Sequence, residues 1–479
     1  MLFNSCQFAV FFLLVTAVYF MVPHRVRRAW LLLASCYFYM VFVPEYLLIL
    51  FTLILVDYAA GLMLERASNQ SRKKLILFVS LVSNVGILAL FKYFNFASAQ
   101  ISSLVSAFGV QVHAPHLSWV LPIGLSFHTF QSMSYTIEVY RGTQRAERNL
   151  ALYALYVLIY PQMVAGPIER PQNLLPQLRK EVVFDYSRVT SGLKLMLWGL
   201  FKKVVIADNM ALLVAAPYQN PELYHGWPLI VATYAFAIQI FCDFSGYSDI
   251  ARGAARVMGF ELMQNFNLPY YASSIGEFWK RWHISLSTWF RDYVYIPLGG
   301  NRAGQSRTLI NILVVFLLSG LWHGADLAFL FWGGLHGLYL VTGLVTQNWR
   351  QRIAERTGLA SLPKVRTFVN RVITFHLVTF AWIFFRAGSL PDAFEVVKNL
   401  FRFNHSRLAI HPFGMFETLG VTLALVIMAL IHQLQQRVGL HRVSERLPVF
   451  ARWTIYAAGV GFILLWGQFK SQDFIYFQF

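Results

Sequence analysis

His323 stands between Gly320 and Gly324 at the end of an apolar run, Thr308 to Trp322, that carries no charge. An imidazole titrates near neutrality and can take a proton from an attacking hydroxyl, which is the work of a general base, and acyl transfer is the natural reaction for it. The flanking glycines lack side chains and predict room for a substrate beside the ring. Asp326, three residues on, would orient the ring if the helix continues through Gly324. An ionisable group at membrane depth is costly unless it faces protein or water, so it marks function by default. The alternative is a buried histidine bonded to a neighbouring helix. His336 falls on another face of a straight helix and reads as structural.

A second histidine lies forty residues upstream, in the stretch from Phe278 to Tyr293. There Trp279, Trp282, His283, Leu286, Trp289, Phe290 and Tyr293 recur at helical spacing, while Lys280, Ser287 and Arg291 line another face. The pattern predicts one helix lying along a membrane surface, with His283 in its apolar stripe. His283 is then placed to position a substrate group or to keep a passage polar; packing against backbone is the alternative.

The elements that must hold these residues follow from composition. Of 479 residues 57% are hydrophobic and 13% charged, which is outside the range of soluble domains and defines a polytopic all-α membrane protein. The formal charge of +18 sits in short clusters between apolar runs, as in cytoplasmic membrane loops, so nucleic acid is set aside. Arg25, Arg27 and Arg28 follow the first span, Cys6 to Val22, and place the N-terminus outside. Further spans are expected at Ala29–Val43, Tyr46–Leu64, Leu75–Phe96, Trp119–Ile137, Trp227–Val257, Val369–Phe385, Phe413–Ile431 and Trp453–Trp466, with basic loops inside at 65–74 and 347–366. Leu150 to Ala165, rich in nearby prolines, predicts a broken re-entrant segment. The chain reads as one integral unit, 1–479, whose 470–479 tail ends outside.

Gly-rich phosphate loops, GxSxG elbows and HExxH spacing are missing, and Cys6, Cys36 and Cys242 form no pair, so no metal is expected. Asp243 and Asp249, six apart near one span, read as caps or structural partners.

The strings FWKRWHISLSTWFRDYVYIPLGGNR and LSGLWHGADLAFLFWGGLHG resemble the signature of membrane-bound O-acyltransferases, in the bacterial branch that includes the membrane protein of alginate O-acetylation. FCDFSGYSDIARG, LPIGLSFHTFQSMSYTIEVYRG and FKKVVIADN resemble the same branch, over about residues 1 to 470. The resemblance implies a ring of many helices, with re-entrant and interfacial ones, around a tunnel. It implies catalysis by His323, with His283 as the second polar position. It further implies acetyl transfer from cytoplasmic acetyl-CoA to an outer acceptor in the bacterial inner membrane, with a periplasmic SGNH-type O-acetyltransferase partner modifying a polysaccharide. Alginate, cellulose, peptidoglycan and other exopolysaccharides remain open as the final acceptor.

CoA phosphates need cations, for which Lys280, Arg281, Arg291, Arg302, Lys202 and Lys203 are available; anchoring to membrane lipid headgroups is their alternative role. The tail from Phe474 to Phe479 reads by composition as an interfacial aromatic belt. It also resembles the Phe-x-Tyr-Phe-x-Phe ending of polysaccharide-acetylating members and of the partner peptide in teichoic-acid alanylation, which implies Tyr476 as an acyl relay. The competing class is a non-enzymatic acyl-donor carrier or channel, which buried ionisable groups and broken segments also suit.

Overall fold

The computed structural model describes residues 1–110, 115–119, 121–163, 166–302, 304–403, 413–437, 448–469 and 474–475, and among them every regular element is helical. Eight of these helices are long and apolar enough to cross a membrane. By contacts the chain divides into two compact units, residues 1–196 with 251–264 and residues 197–250 with 265–479.

The first unit contains α1 (Cys6–Met21), α2 (His24–Met40), α3 (Tyr46–Arg66), α4 (Gln70–Lys92), α5 (Phe94–Ala107), α6 (Leu125–Arg141), α7 (Leu150–Leu158), α8 (Tyr160–Met163), α9 (Pro171–Arg179) and most of α10 (Tyr186–Leu200). Its side-chain caps follow the sequence: Ser5, Asn69 and Asn149 accept backbone N–H groups at the starts of α1, α4 and α7. Asp57 of α3 joins three helices inside an apolar interior. Its carboxylate accepts from Ser80 (2.6 Å) and Asn84 (2.8 Å) on α4 and from Thr136 (3.1 Å) on α6. A buried carboxylate without such donors would cost several kcal/mol.

The expected break between Leu150 and Ala165 is present: α7 ends at Leu158, Ile159 leaves the helical conformation with ψ 120°, and α8 resumes at Tyr160. The N–H of Tyr160 donates to Ser35 Oγ at 3.1 Å, which satisfies a backbone group at the break. Elsewhere the helices shift from the expected bounds. α6 begins only at Leu125, after a left-handed turn at Gly124, and Arg25, Arg27 and Arg28 lie in the first turns of α2 instead of in a loop.

In the second unit the end of α10 passes into a π-helix, Phe201–Ala207. There follow α11 (Asp208–Gln219), α12 (Trp227–Val257, its last turns in the first unit), α13 (Ile275–Arg281), α14 (Ile284–Phe290), α15 (Gln305–His323) and α16 (Leu327–Val345). They are succeeded by α17 (Gln347–Arg356), α18 (Pro363–Arg386), α19 (Leu390–Leu400), α20 (Met415–Arg437) and α21 (Val449–Trp466). The span expected at 227–257 has the observed bounds of α12.

The single surface helix expected from Phe278 to Tyr293 is not observed. The chain breaks at Trp282 and His283, where φ of His283 is +43°, and gives two short helices followed by a π-helical turn, Arg291–Tyr295. Trp279, Trp282, His283, Leu286, Trp289 and Phe290 are all buried. The aromatic stripe therefore packs into protein, because the break lets both short helices turn the same apolar residues inward.

Helices α15 and α16 form a tight hairpin. A Cβ on Gly320 would lie 2.3 Å from the carbonyl oxygen of Phe329, and one on Gly333 would lie 2.2 Å from that of Phe316. A Cβ on Gly324 would meet the Phe329 ring at 2.1 Å. The room that Gly320 and Gly324 leave is filled by α16 and its Phe329, so these glycines serve close helix approach and not access of a substrate to the ring.

Candidate active site

His323 is the last residue of α15, and extended Gly324 ends the helix there. Its ring is buried among aromatics: 4.9 Å from Trp322, 5.0 Å and nearly perpendicular to Trp332, and 5.3 Å from Phe385. Asp326 does not extend the same helix to orient this ring. It is the N-cap of α16, and its Oδ1 accepts the N–H of Ala328 at 2.7 Å.

His283 occupies the turn between α13 and α14. Besides Leu268 it is the only non-glycine residue with positive φ among those described. Such a backbone costs of order 1–3 kcal/mol and persists only where its surroundings enforce it. Asn265 supplies the enforcement: its carbonyl accepts from Ile284 N–H at 2.9 Å, and its Oδ1 accepts from Ser285 N–H at 3.2 Å and Ser285 Oγ at 2.7 Å. On the other side Ser274 caps α13, and Glu277 pairs with Arg281 at 2.7 Å.

The latch turns His283 inward, 4.7 Å from the Phe244 ring and 6.2 Å from the Trp322 indole. Burial pushes this imidazole down to about 3, so it is neutral across the physiological range. The structure thus brings both histidines onto one indole, Trp322. Neither Asn265 nor Phe244 stood out by residue type or spacing in the sequence, since each acts through partners nineteen or more residues away.

His336 has the structural place expected of it. Trp279 Nε1 donates to its Nδ1 at 3.3 Å, and the ring stacks 6.3 Å from Phe278.

The six candidate cations separate by environment. Lys202 and Lys203 lie inside the protein. Lys202 Nζ is 2.7 Å from Asp249 and donates to Ser245 at 2.9 Å, and Lys203 Nζ is 2.7 Å from Asp208 and 2.9 Å from Asp243. Asp243 and Asp249 are thus structural partners, as their spacing suggested. Arg281 is matched by Glu277 and Arg291 by Asp292, at 2.7 and 2.8 Å. Lys280 and Arg302 are exposed.

Tyr476 lies outside the described residues, but its neighbours do not. Phe474 and Ile475 are fully buried, with the Phe474 ring 4.4 Å from Tyr247 and 5.7 Å from Phe244. At these two positions the segment packs into protein instead of forming an exposed belt.

Long apolar helices that enclose a pair of buried, aromatic-caged histidines define a multi-pass membrane protein with a water-poor site suited to proton transfer. Comparison with known proteins makes the class specific. A model of MBOAT, the membrane-bound O-acyltransferase family, matches residues 143–387, which include His283 and His323. A probable alginate O-acetylase of Pseudomonas aeruginosa is 38% identical over 85% of this chain and 76% of its own length. A peptidoglycan O-acetyltransferase of Helicobacter pylori is 33% identical over 79% of this chain and 74% of its own. A teichoic acid D-alanyltransferase of Bacillus subtilis is 27% identical over 61% and 78%. The chain belongs to the membrane-bound O-acyltransferase family and is a membrane-bound acyltransferase.

Proposed function

We propose that this acyltransferase moves acetyl from cytoplasmic acetyl-CoA to an acceptor on the outer side of the bacterial inner membrane, for O-acetylation of a cell-envelope or exported polysaccharide. The observation that carries the reading is the place of His323, a buried base at the end of a membrane helix that shares the Trp322 indole with His283. Relatives named as an alginate O-acetylase and a peptidoglycan O-acetyltransferase support acetyl as the acyl group and a polysaccharide as its destination.

In this mechanism a ring nitrogen of His323 takes the proton of the acceptor hydroxyl while that oxygen attacks the thioester carbonyl. The carbon–sulfur bond breaks, an O-acetyl ester forms, and the imidazolium returns its proton to the CoA sulfur. His283, kept neutral by burial, orients a substrate group without adding charge. Exposed Lys280 and Arg302 are the cations we assign to CoA phosphates, because the charges of the other four are matched by carboxylates of their own chain. Tyr476 is the first acceptor; its phenyl ester is activated enough to pass acetyl to a serine of a periplasmic SGNH-type O-acetyltransferase.

The test is purified protein supplied with radiolabelled acetyl-CoA, together with glycan analysis of cells that carry His323→Ala. Release of free CoA, and loss of glycan acetylation while the variant still accumulates in the membrane, are expected. Intact donor on the far side of a vesicle, or near-normal acetylation by the variant, overturns the proposal.

A further inference from the structure

We propose that Asp243 is the anchor of the segment that leads to Tyr476: a positioning residue that docks Phe474 and Ile475 against Phe244, the ring that touches His283. The motivation is a buried charge cluster that the acyl-transfer chemistry does not use. Asp243 lies in the middle of α12, buried, with Oδ1 2.9 Å from Lys203 Nζ. Lys203 is shared, since Asp208 Oδ1 stands 2.7 Å from the same nitrogen. One ammonium facing two buried carboxylates leaves negative charge that further donors must stabilise. The N–H of Ile475 is such a donor, 2.8 Å from Asp243 Oδ2. It is a charge-assisted bond in an interior, where such bonds are strongest.

The π-helix and an aromatic slot guide the segment to this point. The π-helix Phe201–Ala207 turns successive residues Lys202 and Lys203 toward carboxylates of α12. The same π-helix presents the Val204 carbonyl to the N–H of Gln468 at 2.9 Å. Gln468 Nε2 also donates to Asn209 at 3.1 Å, and Asn209 Nδ2 donates to the Trp466 carbonyl at 3.1 Å. The chain that leaves α21 is therefore tied down at both 466–468 and 474–475. At the second tie the Phe474 ring enters a slot between Tyr247 and Phe244, and Phe244 is the aromatic that touches His283. A fixed Ile475 sets the origin from which the next side chain works, because consecutive Cα atoms are about 3.8 Å apart.

The docking itself is independent of what Tyr476 does; only its catalytic consequence rests on the acyl-relay reading. The experiment is hydrogen exchange on the full chain in detergent, followed by mass spectrometry of the peptide holding Ile475, with glycan acetylation measured in parallel. In wild type this peptide exchanges slowly. Asp243→Ala should speed its exchange at least about tenfold, as loss of a charge-assisted bond implies, while peptides from α15 and α16 stay protected. Asp243→Asn keeps an oxygen acceptor and should recover part of the protection. Phe474→Ala, which leaves the ion pairs intact, should also speed exchange and guards against a misfolded Asp243→Ala. Equal exchange in wild type and all three variants overturns the anchor. Faster exchange with full acetylation retains the anchor and removes the relay role of Tyr476.

Discussion

Replacing Gly320 by alanine adds one carbon where α15 and α16 meet, 2.3 Å from the Phe329 carbonyl oxygen and 3.3 Å from Gly333 Cα. Carbon–oxygen contacts relax only near about 3.3 Å, so the helices must separate by about 1 Å. These neighbours are backbone atoms, and no rotamer change can accommodate the methyl. Overpacking of this kind costs about 1–3 kcal/mol, against which alanine returns about 1 kcal/mol of helix propensity. A net loss of up to about 2 kcal/mol is expected. His323 lies one turn further along α15, and a displacement of about 1 Å at reacting groups lowers rates by as much as about 100-fold. The assay compares thermal midpoints in detergent and acetyl-transfer kinetics for Gly320→Ala and Gly343→Ala. The latter sits on α16 with nothing within 4 Å of its would-be Cβ and should be neutral or slightly stabilised. If Gly320→Ala is as stable as Gly343→Ala and only KM rises, the gap at Gly320 is substrate space and the packing argument fails.

Four further outcomes are expected. His283 is pushed from 6.5 to about 3 by burial, so the folded state binds fewer protons than the unfolded chain between these values. Its contribution to stability is full above pH 6.5 and declines as pH falls toward 3, by up to about 1.4 kcal/mol per pH unit. His283→Gln should therefore show a shallower fall in thermal midpoint from pH 6.5 to 4 than wild type, and identical slopes contradict the assignment. Tyr476→Phe keeps the bulk and removes the hydroxyl; glycan acetylation should drop by about 100-fold or more with normal membrane insertion, and wild-type acetylation would mean direct transfer. Lys280→Gln combined with Arg302→Gln should raise KM for acetyl-CoA about tenfold with little change in kcat. Lys202→Met should instead lower the thermal midpoint, by at most about 3–5 kcal/mol of stability, because it removes the cation 2.7 Å from the Asp249 carboxylate; an unchanged midpoint would contradict that pairing.

Local pattern determined a definite share of this protein. Helix lengths follow from apolar runs bounded by charge, which is why the limits of α12 and the core of α15 were legible, and Pro161 marked the break between α7 and α8. The long ordered strings around His283 and His323 were enough for the family. Tertiary structure alone decided how those residues are used. Helical spacing from Phe278 to Tyr293 is continuous in sequence, yet the latch from Asn265 breaks it and turns His283 inward. Gly320 and Gly324 look like space around a ring until Phe329 from the next helix fills it. Lys202 and Lys203 look like free cations until carboxylates forty or more residues away on α12 meet them. In each case the deciding partner is distant along the chain, and periodicity records only which face of a helix is apolar, not what arrives to cover it.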